Sequence, residues 1–133
     1  MNIEILLKQN GKKVTPERCE IANWITKKHL FTSADILQDF THIGRASVFR
    51  SLKLFNEIAF IRKINLWDWA ETQYEINHSH HHHEHMKCNS CEDILSFESE
   101  NICQKLFLEA KKRWFHISQH SISILWTCKN CTT

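Results

Sequence analysis

The stretch TSADILQDFTHIGRASVFRSLKLFNEI, residues 32–58, decides the fold. Thr32-Ser33-Ala34-Asp35 has the pattern of a capping box and opens a short helix to about Phe40. Ile43-Gly44 then makes a turn, and Arg45 to Ile58 forms a further helix with two distinct faces. Val48, Leu52, Phe55 and Ala59 recur at steps of four and three, the spacing of a stripe packed on a core. Arg45, Phe49, Lys53 and Asn56 lie along another side, with Ser47 and Arg50 nearby. Arg and Lys reach phosphates and guanine edges, Ser bonds either kind of group, and an aromatic ring can touch a thymine methyl.

The flanking sequence extends this reading. Upstream, Thr15 can cap a helix whose first residue is Pro16, and Glu17 suits the positive end of its dipole. Ile21, Ile25 and Trp24 carry that helix to about Lys28. Downstream, Phe60–Asn65 and Thr72–Ile76 read as two short strands that make a wing. A basic helix by itself is equally well a solvated face. The order of short helix, turn, basic helix and hairpin is what points to a winged helix-turn-helix and to DNA.

Composition bounds the rest. The chain has 133 residues, enough for one domain or two small ones. Small halves have thin cores, so bound metal or dimerisation is expected to help stabilise them. Only two Gly and one Pro occur, against long irregular loops, while six Cys and ten His are high for this length. Residues 1–66 carry a net charge of +5 and residues 67–133 a net −3. A basic front and an acidic, His-rich back divide the work into phosphate contact and cation binding. Met1–Asn10 reads as an amphipathic helix and not a secretion signal. No apolar run reaches the roughly 18–20 residues that span a membrane. A cytoplasmic location is therefore expected, in which paired Cys bind metal in preference to forming disulfides.

The second half carries that chemistry. Cys88-x-x-Cys91 and Cys128-x-x-Cys131 each place two thiolates on one tight turn, and two such pairs complete a tetrahedral four-sulfur site. A closed site of this kind is structural and suits zinc; four buried free Cys, or two redox Cys-x-x-Cys pairs, are the alternatives. Just before it lie His78, His80, His81, His82, His83, Glu84 and His85. If this run is a strand, His82 and Glu84 share one face while His83 and His85 share the other. One strand could then serve two metal sites; the plainer alternative is a His-rich tract that binds metal loosely. Glu98–Trp114 reads as a helix with Ile102, Leu106, Phe107, Ala110 and Trp114 on one side, together with Cys103. Phe115–Trp126 reads as a strand on which His120 points with Ile122, Ile124 and Trp126.

These motifs, in this order, resemble the ferric uptake regulator family of metal-dependent repressors. The resemblance runs from about residue 11 to 131. It rests on Val14-Thr15-Pro16-Glu17-Arg18, on residues 43–52, on His81 to Cys91, on His120-Ser121 and on Cys128-Lys129-Asn130-Cys131. It implies an α+β chain, with an N-terminal winged helix-turn-helix domain (residues 1–77) followed by a small α/β dimerisation domain (residues 78–133). It also implies a homodimer that binds pseudo-palindromic operator DNA when metal-loaded, with no membrane partner and no small organic substrate. By resemblance, Cys88, Cys91, Cys128 and Cys131 hold structural zinc. A sensory site takes His82, Glu84 and His120, with Cys103 where a carboxylate ligand is usual. A site between the domains takes His29, Glu75, His83 and His85, and Ser96 stands where that site usually has a Glu. Lys13, Arg18, Arg45, Ser47, Phe49 and Arg50 face DNA, Phe49 replacing the usual Tyr. Fe2+, Zn2+, Mn2+ or Ni2+ would suit the regulatory donors.

His82-x-Glu84 before Cys88-x-x-Cys91 is a loose match to zinc deaminases, but no Pro precedes Cys88 and the two elements lie too close together. His83-Glu84-His85 is not the H-E-x-x-H of metalloproteases. A metal storage or chaperone role leaves the basic helix unexplained. A peroxide sensor of the same family remains an alternative to a metal-responsive repressor.

Overall fold

The computed structural model describes residues 1–64, 71–77, 84–117, 120 and 122–132. The chain forms two compact units, Met1–Asn77 and His78–Thr133. In the first, four helices precede a hairpin: α1 (Ile3–Gln9), α2 (Pro16–Ile25), α3 (Ser33–Asp39), α4 (Arg45–Glu57), β1 (Ile61–Ile64) and β2 (Gln73–Ile76). The second contains β3 (Glu84–Cys88), β4 (Ile94–Phe97), α5 (Glu100–Lys112) and β5 (Ser123–Trp126).

Capping starts these helices where the residue types predict. The Thr15 side chain accepts from the Arg18 amide, with Pro16 in the first turn. At α3 both halves of the capping box form: Thr32 Oγ1 accepts from the Asp35 amide, and Asp35 Oδ2 accepts from the Thr32 amide. Helix ends are less legible. The first stretch ends at Ile25, capped by Thr26, short of the expected Lys28. Ala59, expected in the core stripe of α4, is exposed and left-handed at φ 58°. Its amide bonds the Asn56 carbonyl and the Phe60 amide bonds the Phe55 carbonyl, which closes the helix as a Schellman motif. Trp114 ends α5 in the same way at φ 61°, and stands 97% exposed instead of on the expected apolar side. Neither position holds a Gly, so neither end announces itself in the sequence.

The first unit is built on one apolar core. Leu7, Ile21, Ile25, Phe31, Ile36, Val48, Leu52, Phe55, Phe60 and Ile61 are buried together. Phe55 and Phe60 meet edge to face with centroids 5.3 Å apart. The wing is antiparallel, with Ile61 opposite Ile76 and Arg62 opposite Glu75. Phe31 adds a bridge to Tyr74, and their rings stack at 5.7 Å.

The second unit is a three-stranded sheet in the order β4-β3-β5. β4 is antiparallel to β3, whereas β5 is parallel to it and is reached by way of α5. The expected long strand over Phe115–Trp126 is shorter: among the described residues only Ser123–Trp126 pair as strand. None of the residues of α5 is buried, those of its apolar side included.

Candidate metal centres and nucleic-acid interface

The four-thiol cluster is assembled at one end of the second unit's sheet. Cys88 closes β3, and a tight turn carries the chain to Cys91. That turn is held by the Cys88 amide on the Asp93 carbonyl at 2.8 Å and by the Glu92 amide on the Cys88 carbonyl at 3.0 Å, with Glu92 left-handed. Beyond β5 a second turn bonds the Cys131 amide to the Cys128 carbonyl at 2.9 Å. The parallel register sets Cys88 against Trp126, which brings the second turn beside the first. The donor atoms of Cys88, Cys91, Cys128 and Cys131 all lie within 4.8 Å of one another. Cys91 Sγ and Cys128 Sγ are 3.7 Å apart. In a tetrahedron with zinc–sulfur bonds of about 2.3 Å the sulfur–sulfur edge is about 3.8 Å, so the donors fit that ion.

The thiols are not equivalent. Amide N–H groups of Cys128, Cys91 and Ser90 lower Cys88 to about 6, against the opposing effect of burial. The Asp93 amide favours the Cys91 thiolate, but the neighbouring Cys88 thiol and burial outweigh it and raise Cys91. Cys131 is pushed up to about 12 by hydrogen bonding with Cys128 and Cys91 and by burial. Backbone donors thus stabilise charge on Cys88, while crowding by other sulfurs opposes charge on Cys131.

A second cluster joins side chains from three elements. Glu84 begins β3 and is buried, Cys103 lies in the first turns of α5, and His120 precedes β5. Cys103 Sγ is 3.1 Å from His120 Nε2 and 3.8 Å from Glu84 Oε1. His120 Nε2 is 3.3 Å from Glu84 Oε1. The Ile122 amide donates to Glu84 Oε2 at 2.8 Å, which fixes the carboxylate and leaves Oε1 facing the other two donors. Phe107 meets His120 edge to face at 5.8 Å. Burial, and then the charge of Glu84, raise the Cys103 thiol above its usual range. His82, expected with this group, lies outside the described residues.

His29 is exposed and Glu75 is buried in β2 of the first unit. Glu75 forms an ion pair with Arg62 directly across the wing. His85 is buried in β3 opposite Ser96, and His83 lies outside the described residues. The Arg62–Glu75 pair and the Ile122 amide on Glu84 were missed in reading the sequence. The first was accessible, since Arg62 and Glu75 lie on two strands expected to pair; the second depends on backbone placement.

In the first unit, Arg45, Phe49, Arg50, Lys53 and Asn56 are all exposed on α4. The Arg45 guanidinium sits over the Phe49 ring, 5.5 Å from its centroid. Arg50 donates to Ser47 Oγ at 3.2 Å. Those two residues line a cleft with Thr15, Glu17, Arg18 and Ser51. Arg18 in turn donates to the Lys13 carbonyl, so Lys13, Arg18, Ser47 and Arg50 belong to one neighbourhood. Gly44 offers no side-chain cap and no acidic residue stands in the first turn of α4, which leaves that end of the helix electropositive.

A winged-helix unit followed by a small α/β unit with a four-cysteine cluster and a Glu–Cys–His cluster defines a class of two-unit α+β protein. The particular family follows from the sequence as a whole: the Ferric uptake regulator family matches residues 9–125, and the chain belongs to it. A peroxide-responsive repressor, PerR, of Staphylococcus aureus is 25% identical over 131 residues, which covers 94% of this chain and 86% of that protein. The structure of the ferric uptake regulator of Francisella tularensis with iron aligns with a TM-score of 0.77 at 28% identity, over 92% of this chain and 96% of that one. The ferric uptake regulator of Pseudomonas aeruginosa with manganese has the same fold, with a TM-score of 0.84 at 21% identity over 97% and 99% of the two chains.

Proposed function

We propose that this chain is a cytoplasmic, metal-responsive transcriptional repressor that binds pseudo-palindromic operators as a homodimer and has no enzymatic role. One observation carries the reading: a thiol, a carboxylate and an imidazole from three elements converge within 4.8 Å, apart from a complete four-thiol cluster. A chain that needed metal only to hold its fold would need only one such centre. The relatives support it by what they hold or answer to, namely iron, manganese and peroxide. No described helix is long and apolar enough to cross a membrane.

In this reading Cys88, Cys91, Cys128 and Cys131 hold structural Zn2+. Glu84, His120 and Cys103, with His82, hold a regulatory divalent ion, Fe2+, Zn2+, Mn2+ or Ni2+. His29, Glu75, His83 and His85 form a further regulatory set, in which Glu75 would have to leave Arg62. When bound, the regulatory ion supplies a Lewis-acid cross-link among side chains from separate elements. Glu84, held by the Ile122 amide, and His120, held against Phe107, present donors that are already oriented, so little ordering remains to be done on binding. Arg45, Ser47, Phe49 and Arg50 read base edges in the major groove, and Lys13 and Arg18 contact the sugar-phosphate backbone, Lys13 from the minor-groove side. Metal acts on DNA affinity by binding the DNA-competent arrangement more tightly than the others.

The test is operator affinity before and after chelation at matched salt. DNA is expected to be released while one zinc per chain stays bound; equal affinity in both states overturns the reading. Likeness to the Staphylococcus aureus repressor favours a second version, peroxide sensing at bound iron. There, peroxide would add oxygen mass to a histidine and abolish DNA binding.

A further inference from the structure

We propose that Cys103 makes the Glu84–Cys103–His120 centre selective for zinc over manganese and ferrous iron. The inference rests on the regulatory reading of that centre and adds to it the identity of the ion.

The donor set and its dimensions both bear on this. The three distances, 3.1, 3.3 and 3.8 Å, outline a compact triangle of sulfur, nitrogen and oxygen. Tetrahedral zinc with bonds of about 2.0–2.1 Å to nitrogen and oxygen and about 2.3 Å to sulfur has donor edges of about 3.3–3.6 Å. The triangle therefore approximates one face of a zinc tetrahedron: the nitrogen–oxygen edge fits, and the two sulfur edges need the Cys103 thiol to move by only a few tenths of an ångström. Hard ions such as Mn2+ favour carboxylate, carbonyl and water oxygen, whereas thiolate selects softer ions. Here one of three donors is sulfur and another is imidazole. Across the first-row series zinc also outranks Mn2+ and Fe2+ at a given nitrogen, oxygen and sulfur site, so softness and affinity order act in the same direction. Charge closes the argument: a thiolate and a carboxylate balance a divalent cation, which leaves a half-buried centre neutral and lowers its desolvation penalty.

The experiment uses the full-length protein with its four-thiol zinc retained, titrated with Co2+ as a spectroscopic stand-in for zinc. The bound cobalt is expected to show a thiolate-to-cobalt charge-transfer band and the intense visible bands of four-coordination. Cys103→Ser should abolish the charge-transfer band and weaken zinc at this centre by about 100-fold or more, since losing even an outer partner of a ligand costs about 10- to 100-fold. Cys103→Asp should instead move the Zn2+/Mn2+ competition ratio towards manganese. Weak six-coordinate cobalt bands without charge transfer in the unaltered protein, or unchanged zinc affinity in Cys103→Ser, overturn the proposal. Operator binding measured in the same samples separates the two readings. If DNA still answers to metal but no thiolate band forms, only the zinc assignment fails. If the thiolate band forms but DNA ignores every metal, the zinc assignment stands and the regulatory reading fails.

Discussion

At the residue scale, the hydrogen-bond donors around a side chain separate groups of the same type. Cys88, buried where three backbone amides meet its sulfur, lies at about 6, while Cys131, packed against other sulfurs, lies at about 12. Near neutral pH, Cys88 is a thiolate, whereas Cys131 and the raised Cys91 keep their protons. Zinc takes thiolates, so loading the metal-free cluster must expel those protons. Zinc affinity is therefore expected to fall as pH falls, and more steeply as pH drops through about 6, where Cys88 also becomes protonated. Zinc competition across pH, with proton release followed by an indicator in weak buffer, checks this; a flat profile would contradict it. Glu84 illustrates the same point in another chemistry: the Ile122 amide occupies one carboxylate oxygen and thereby selects the other as donor.

At the element scale, α4 serves two purposes through its two faces. Val48, Leu52 and Phe55 are fully or almost fully buried, and Arg45, Phe49, Arg50 and Lys53 are exposed. Burying one face fixes the direction in which the other points, because residues three and four apart are neighbours on a helix. Phe55→Ala removes a ring packed against Phe60 and should destabilise the first unit by about 3–5 kcal/mol. Denaturant unfolding measures that loss, and operator affinity should fall only where the unit begins to unfold. A loss under about 1 kcal/mol would mean that the core collapses around the vacancy. The ends of α4 and α5 show the limit of local reading. Both close through a left-handed residue that is not Gly, at Ala59 and Trp114, so periodicity alone ran one or two residues too far.

At the scale of the whole molecule, the conspicuous unfinished surface is α5. Ile102, Leu106 and Phe107 are 37–47% exposed, and Leu108 is 59% exposed. Apolar spacing on a helix that stays exposed in one chain is the expected mark of a partner, and a second copy of this chain is the partner proposed. Leu106→Glu should then convert the dimer to a monomer in sedimentation at micromolar protein, with the four-thiol zinc retained. Operator affinity should fall with it, since two half-sites must be met together. A variant that still sediments as a dimer would place the interface elsewhere.

What the sequence determined by itself was local or evenly spaced. The capping box at Thr32, the Pro16 start, the alternate faces of α4 and the two Cys-x-x-Cys turns each need only neighbouring residues to be recognised. The two-strand wing followed from the same kind of signal. Only the tertiary structure decided which distant groups meet. Glu84, Cys103 and His120 come together because β5 returns parallel beside β3 after α5, and no periodicity within a single segment encodes that meeting. Sequence reading put Cys103 on the apolar side of its helix and, by resemblance, where a carboxylate ligand is usual; only the fold brings its thiol to 3.1 Å from the His120 imidazole. The apolar side of α5 was legible as apolar, but the identity of what covers it was not. Hydrophobicity specifies that a face should leave water and says nothing of whether the cover comes from the same chain.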